Sequence, residues 1–229
     1  LNNWNVSNVT TMISMFRNAF AFNGNLSTWN TQNVTDMTEM FVFCNAFNQP
    51  IGGWNVGNVN TMFRMFQVAG AFNQPIGGWN VSKVTNMAEM FSSARDFNQP
   101  LDGWNVSSVT NMNSMFAEAD DFNQNLDSWN VSNVTTMISM FNGADSFNGP
   151  VGNWNVSSVT NMNSMFRNAS SFDQPIGGWD VSSVTNMNSL FAFTPFNQDI
   201  SMWDLTSVTT ISGMFTFSQF NQNINTWDV

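Results

Sequence analysis

The sequence has no histidine, no tyrosine, one cysteine and one lysine. Those absences remove the side chains that most often act as general bases, and the nucleophile–base pairs of covalent catalysis. Serines are plentiful, but they recur in fixed columns, and a serine–lysine pair would have to use Lys83. The expectation is a chain that is not an enzyme and carries no cofactor. Cys44 has no partner for an internal disulfide, so stability must come from packing. Charge is also scarce, at 9% of residues, where about a quarter is usual. Five basic residues against fifteen acidic ones give a net charge of −10. Nucleic acid is therefore an unsuitable partner, because clustered Lys and Arg are needed to displace counterions from phosphates. No apolar run is long enough for a transmembrane helix.

What is present is periodic. Ten tryptophans fall at 4, 29, 54, 79, 104, 129, 154 and 179, then at 203 and 227, spaced by 25 residues and finally by 24. The thirteen residues WNVSSVTNMNSMF occur unchanged at Trp104–Phe116 and Trp154–Phe166. With each Trp taken as position zero, sixteen of the seventeen methionines occupy +8 or +11, and eighteen of the 23 phenylalanines occupy two columns, +12 and +18, the second falling at +17 in the last two units. Almost no apolar residue is left for private use, so the fold must be one in which every unit meets the same neighbours. In the last two units Phe191 to Phe196 and Phe215 to Phe220 are five apart instead of six. The residue is lost at Thr194-Pro195 and Ser218-Gln219, as a surface corner tolerates.

Each unit predicts three sides of a coil. Trp79-Asn80-Val81 alternates as a short strand. Met87, Met90, Phe91 and Ala94 have the 0, +3, +4, +7 spacing of one helix face, with Thr85 or Ser82 as its cap. Phe97-Asn98-Gln99-Pro100 turns the chain back. The expected fold is an α/β solenoid: a leucine-rich-repeat-like stack of about nine units, each a short parallel strand, a short helix and a turn. The core of one unit is read as Trp79, Val81, Val84, Met87, Met90, Phe91, Ala94, Phe97 and Leu101. Asn at +19 (Asn23, Asn48, Asn73, Asn98, Asn123) should form a ladder of side-chain amides. Asn at +1, replaced by Asp180, Asp204 and Asp228, should form a second ladder. Residues 1–229 read as a single repeat array, and Leu1 and Val229 lie inside repeat phrases, as in an excerpt of a longer one.

The phrases Phe72-Asn73-Gln74-Pro75-Ile76 and Trp79-Asn80-Val81-Ser82 resemble the 25-residue repeat of the BspA-like leucine-rich-repeat surface proteins, a family of mycoplasma-lipoprotein type. The resemblance covers essentially the whole chain. It implies a leucine-rich-repeat-like α/β fold, an extracellular or cell-surface location, and adhesion, matrix binding or self-association. No binding residue of that family is fixed by a motif, so none is transferred.

Several residues are candidates for a site, and each has an ordinary structural alternative. Asp96 with Asp121, Asp120 with Asp145, and Asp102 with Asp127 share columns in adjacent units, as weak Ca²⁺ candidates or a solvated acidic edge. Sequons recur because the repeat writes them; Asn8, Asn33 and Asn133 are the glycan candidates in a eukaryotic setting. Cys44 takes the +15 position that alanine holds in most other units, which predicts a small buried residue. Phe20, Phe43, Phe63, Phe193 and Phe217 lie outside the two Phe columns and are candidate contact residues. The functional expectation is a non-catalytic adhesion or interaction module, its partner a protein or glycan of a host, matrix or cell surface. The alternative is a segment of an extracellular fibre that stacks end to end on copies of itself.

Overall fold

In the computed structural model, which describes Leu1 and residues 3–228, every unit is a run of hydrogen-bonded four-residue turns. In the Trp79 unit, Val84 N–H donates to Val81 O at 2.9 Å, Met90 to Met87 at 3.2 Å, Ala94 to Phe91 at 2.9 Å and Phe97 to Ala94 at 3.1 Å. Positions +10 and +14 have positive φ in every unit, Glu89 and Ser93 both at 56° here. That places a left-handed residue third in two successive turns, where a type II turn requires it.

This geometry overturns the predicted helix and, with it, the α/β solenoid. Among the described residues there is no helix, and the β-structure is limited to isolated one-residue bridges. The left-handed residues reverse alternate peptides, so N–H groups that a helix would spend on the preceding turn point along the stack instead. Met87, Glu89, Phe91 and Ser93 donate to Asn111, Asn113, Met115 and Ala117 of the next unit at 3.1, 2.8, 2.9 and 2.7 Å. The 0, +3, +4, +7 spacing still brings Met87, Met90, Phe91 and Ala94 to one buried side, but by way of turns. The strand expected at Trp79–Val81 is also displaced. The parallel bridges run through +7, from Thr11↔Asp36 by way of Thr61↔Asn86 and Asn86↔Asn111 to Asn186↔Thr210.

The core columns follow the sequence reading. All nine residues assigned to the core of the Trp79 unit are buried. Phe91 packs on Phe97 of its own unit at 4.1 Å between ring centroids, on Phe66 and Phe116 of its neighbours at 5.6 and 5.5 Å, and on Trp104 at 6.3 Å. One continuous cluster of this kind runs from Val6 to Met214. Trp79 and Trp54 lie 6.5 Å apart, wider than the Phe66–Phe91 spacing in the +12 column, so successive units are not related by a pure translation.

Polar groups join the units where the backbone does not. Each described indole from Trp29 onward donates across the stack, as Trp104 Nε1 does to Ile76 O at 3.0 Å and Trp129 Nε1 to Leu101 O at 2.9 Å. A buried indole N–H needs such a partner. The +19 ladder forms through a shared acceptor: Asn73 Oδ1 receives the Asn98 backbone N–H at 3.0 Å and the Gln99 side-chain amide at 2.8 Å. The +1 residues do not form a second ladder. From Asn5 to Asp204 each closes a local turn onto its own unit, as Asn105 Oδ1 accepts from Ser107 N at 3.1 Å and Asp180 Oδ1 from Ser182 N at 3.1 Å. Both positions need only an acceptor, which is why Asp replaces Asn at 173, 180 and 204. No described helix is long and apolar enough to cross a membrane.

Candidate functional site: a variable edge on a uniform stack

The columns differ sharply in how much chemistry they vary. Positions that pack or ladder repeat the same residue types, whereas +10, +13, +14 and +16 range over charged, amide, hydroxyl, aliphatic and aromatic side chains. Positions +10, +13 and +14 lie on or beside the two left-handed residues of each unit and +16 two residues beyond, and apart from the buried Val42, Ala117 and Ala192 most of their side chains are exposed or half-buried along one edge.

That edge has three zones. In the first four units Arg17, Glu39, Arg64 and Glu89 form a ribbon of ion pairs. Arg17 Nη1 lies 2.6 Å from Glu39, Arg64 3.6 Å from the other Glu39 oxygen, and Arg64 holds Glu89 through two bonds of 2.9 Å. Gln67 adds a bond to Glu89 at 2.7 Å. The ion pairs with Glu89 and Glu39 hold the Arg64 guanidinium above its usual pKa, with partial burial opposing them. The ribbon escaped the sequence reading although its signal was there, since Glu39, Arg64 and Glu89 are spaced by 25 residues in one column. The middle zone is acidic. Arg95 lies 3.6 Å from Asp120. Burial raises the Asp120 carboxyl above its usual range; Asp145, Glu118 and Asp121 add to the shift and Arg95 opposes it. The third zone is aromatic, with Phe193 and Phe217 stacked at 5.0 Å and the Arg167 guanidinium 5.7 Å from the Phe193 ring centre.

The predicted site residues fall in several places. Asp96, Asp102, Asp121 and Asp145 are exposed, Asp120 and Asp127 half-buried. Among the described residues no three His, Cys, Asp or Glu side chains come together to hold a metal. Asp127 accepts from the Asn153 backbone N–H at 2.8 Å, and Asp145 from the Ser170 hydroxyl at 3.1 Å. Asn8, Asn33 and Asn133 are exposed, but the amide nitrogens of Asn33 and Asn133 each donate to a carbonyl of the preceding unit at 2.7 Å. A glycan on either would cost that bond. Cys44 is buried in the alanine column and its thiol donates to Phe16 O at 2.9 Å. Burial pushes that thiol up to about 11, against a weaker opposing backbone contact from Ala19. Of the five unplaced phenylalanines, Phe20, Phe43, Phe193 and Phe217 are exposed, and Phe63 is half-buried under the Arg64 guanidinium at 4.6 Å.

No curated protein and no solved structure matches the chain. A family model does, in three overlapping stretches over residues 1–104, 71–177 and 147–229. Together these span the whole repeat array, and the chain belongs to the family described as mycoplasma protein of unknown function, DUF285.

Proposed function

We propose that this chain is a non-catalytic interaction module of a surface-displayed or extracellular protein of BspA-like type, with the variable edge as its contact surface. The observation that carries this reading is the contrast between columns. Packing and ladder positions are nearly uniform while the edge changes its chemistry unit by unit. A shape that needed only to stack would have no use for that variation. Binding along such an edge would be multivalent, each contact weak and the sum appreciable. The test is to present the immobilised chain with a panel of matrix glycoproteins and cell-surface glycans. A triple edge variant, Arg64→Ser, Glu118→Ser and Phe193→Ser, should lose binding, and Ser82→Ala on a turn position should keep it. Equal binding by both variants would sink the reading, as would binding by neither the parent nor any variant.

A second reading, a fibre segment stacking end to end, has support of its own. Trp4 and Met15 are exposed at one end and Ile211 at the other, in columns that interior units bury. The hydrogen bonds from +8, +10, +12 and +14 all run from one unit to the next in the same direction, so carbonyls at one end complement N–H groups at the other. Light scattering and electron microscopy of the purified chain should then show rods that lengthen with concentration, and Trp4→Arg should stop the growth.

A further inference from the structure

The most irregular place in the repeat coincides with the exposed pair Phe193 and Phe217. In the unit beginning at Trp179 the corner after Phe191 is one residue short. Thr194 compensates: its hydroxyl donates to Phe191 O at 2.8 Å, a bond the backbone N–H makes in the longer units, and accepts from Phe196 N at 3.4 Å. The shortened corner leaves a shallow groove lined by Ser170, Phe193, Thr194, Pro195, Phe217 and Gln219. Phe193 stays exposed although Phe217 stacks on it. Arg167 stands over the Phe193 ring, exposed and in no ion pair among the described residues, unlike Arg17, Arg64 and Arg95.

We infer that this groove binds a carboxylate-bearing saccharide, its ring lying across the exposed edges of the stacked Phe193 and Phe217 and its carboxylate held by Arg167. Aromatic edges are positive and attract the oxygens of a sugar, and a guanidinium outside any ion pair is a planar, two-pronged donor to a carboxylate. The chain carries −10 overall, but screening confines each charge to about 8–10 Å at physiological salt, so the local cation decides. Asp145, bound to the Ser170 hydroxyl on one rim, repels the acidic end of the ligand and so directs it toward Arg167. The Gln219 side-chain amide on the opposite rim is exposed and suits a sugar hydroxyl.

This rests on the interaction-module reading and fails separately from it. The experiment titrates the full chain by calorimetry with trigalacturonate, its carboxyl-reduced neutral counterpart and hexaglutamate. Trigalacturonate should bind and the other two at least tenfold more weakly. Arg167→Ala and Phe193→Ala should each weaken binding about tenfold, Phe193→Trp should restore it, and Ser82→Ala should change nothing. Unshifted tryptophan fluorescence in the alanine variants confirms the fold. Equal binding of hexaglutamate would overturn the saccharide assignment, as would a Phe193→Ala variant that binds as well as the parent. If trigalacturonate does not bind while the glycoprotein panel still does, the groove is wrong and the module reading stands.

Discussion

At the scale of single residues, contacts between successive units separate glycines that look alike in sequence. Gly77 and Gly78 are adjacent in the phrase Pro-Ile-Gly-Gly-Trp, yet a Cβ on Gly77 would lie 2.6 Å from the Pro100 carbonyl oxygen of the next unit, while one on Gly78 would meet nothing within 4 Å. Gly77→Ala must push two backbones apart, and overpacking of that kind costs about 1–3 kcal/mol. Gly78→Ala removes freedom only from the unfolded chain and should stabilise by about 0.4–1 kcal/mol. Urea melts of the two variants should move in opposite directions, and a shared direction would contradict the packing. Cys44 gives a second residue-scale prediction. With its thiol pushed up to about 11 in the native state, against 9.0 for an unperturbed thiol, the unfolded chain ionises first as pH rises. This group's contribution is therefore fully present below about pH 9 and declines between 9 and 11. Native protein should resist iodoacetamide at pH 8 and react fully in denaturant.

At the scale of the element, the apolar columns were legible from sequence and the backbone that carries them was not. Periodicity fixes which residues face inward, and Met87, Met90, Phe91 and Ala94 do so. It does not distinguish a helical turn from two successive type II turns, because both return a side chain to the same face after three or four residues. The discriminating signal was faint: Gly143 and Gly213, with Asn18 and Asn168, sit at left-handed positions they tolerate. At the other left-handed positions stand Ser, Glu, Arg, Phe and Val, which no local preference would put there. The stack hydrogen bonds override it, as Val68 N donating to Ser92 O at 2.8 Å illustrates. The edge was legible only in outline: the stray phenylalanines stood out, but the ion-pair ribbon required knowing that +10 side chains of successive units touch. Val68, β-branched at φ 57°, is the most strained of these residues. Val68→Asn should relieve roughly 1 kcal/mol and raise the thermal midpoint, measured with far-UV circular dichroism that lacks the helical double minimum. A lowered midpoint would mean that Val68 packing outweighs its backbone strain.

At the scale of the whole molecule, stability is a chain of nearest-neighbour terms, because each unit touches only the units before and after it. Phe116 is the clearest place to cut that chain. It packs on Phe91 at 5.5 Å, Phe141 at 5.6 Å, Phe122 at 4.0 Å and Trp129 at 6.4 Å, so truncation removes contacts in both directions along the stack at once. Phe116→Ala should cost about 3–5 kcal/mol through lost transfer energy and an unfilled cavity. The larger consequence lies in cooperativity. A weakened interface at the centre leaves two blocks of about four units, each above the roughly three units that repeat stacks need to hold a core. Urea unfolding followed by tryptophan emission should therefore change from one transition in the parent to two in the variant. Phe16→Ala should shift a single transition only slightly, since Phe16 is itself partly exposed at one end. One sharp transition in Phe116→Ala, displaced as a whole, would show that coupling reaches beyond adjacent units and that the ladders, more than the aromatic columns, hold the stack together.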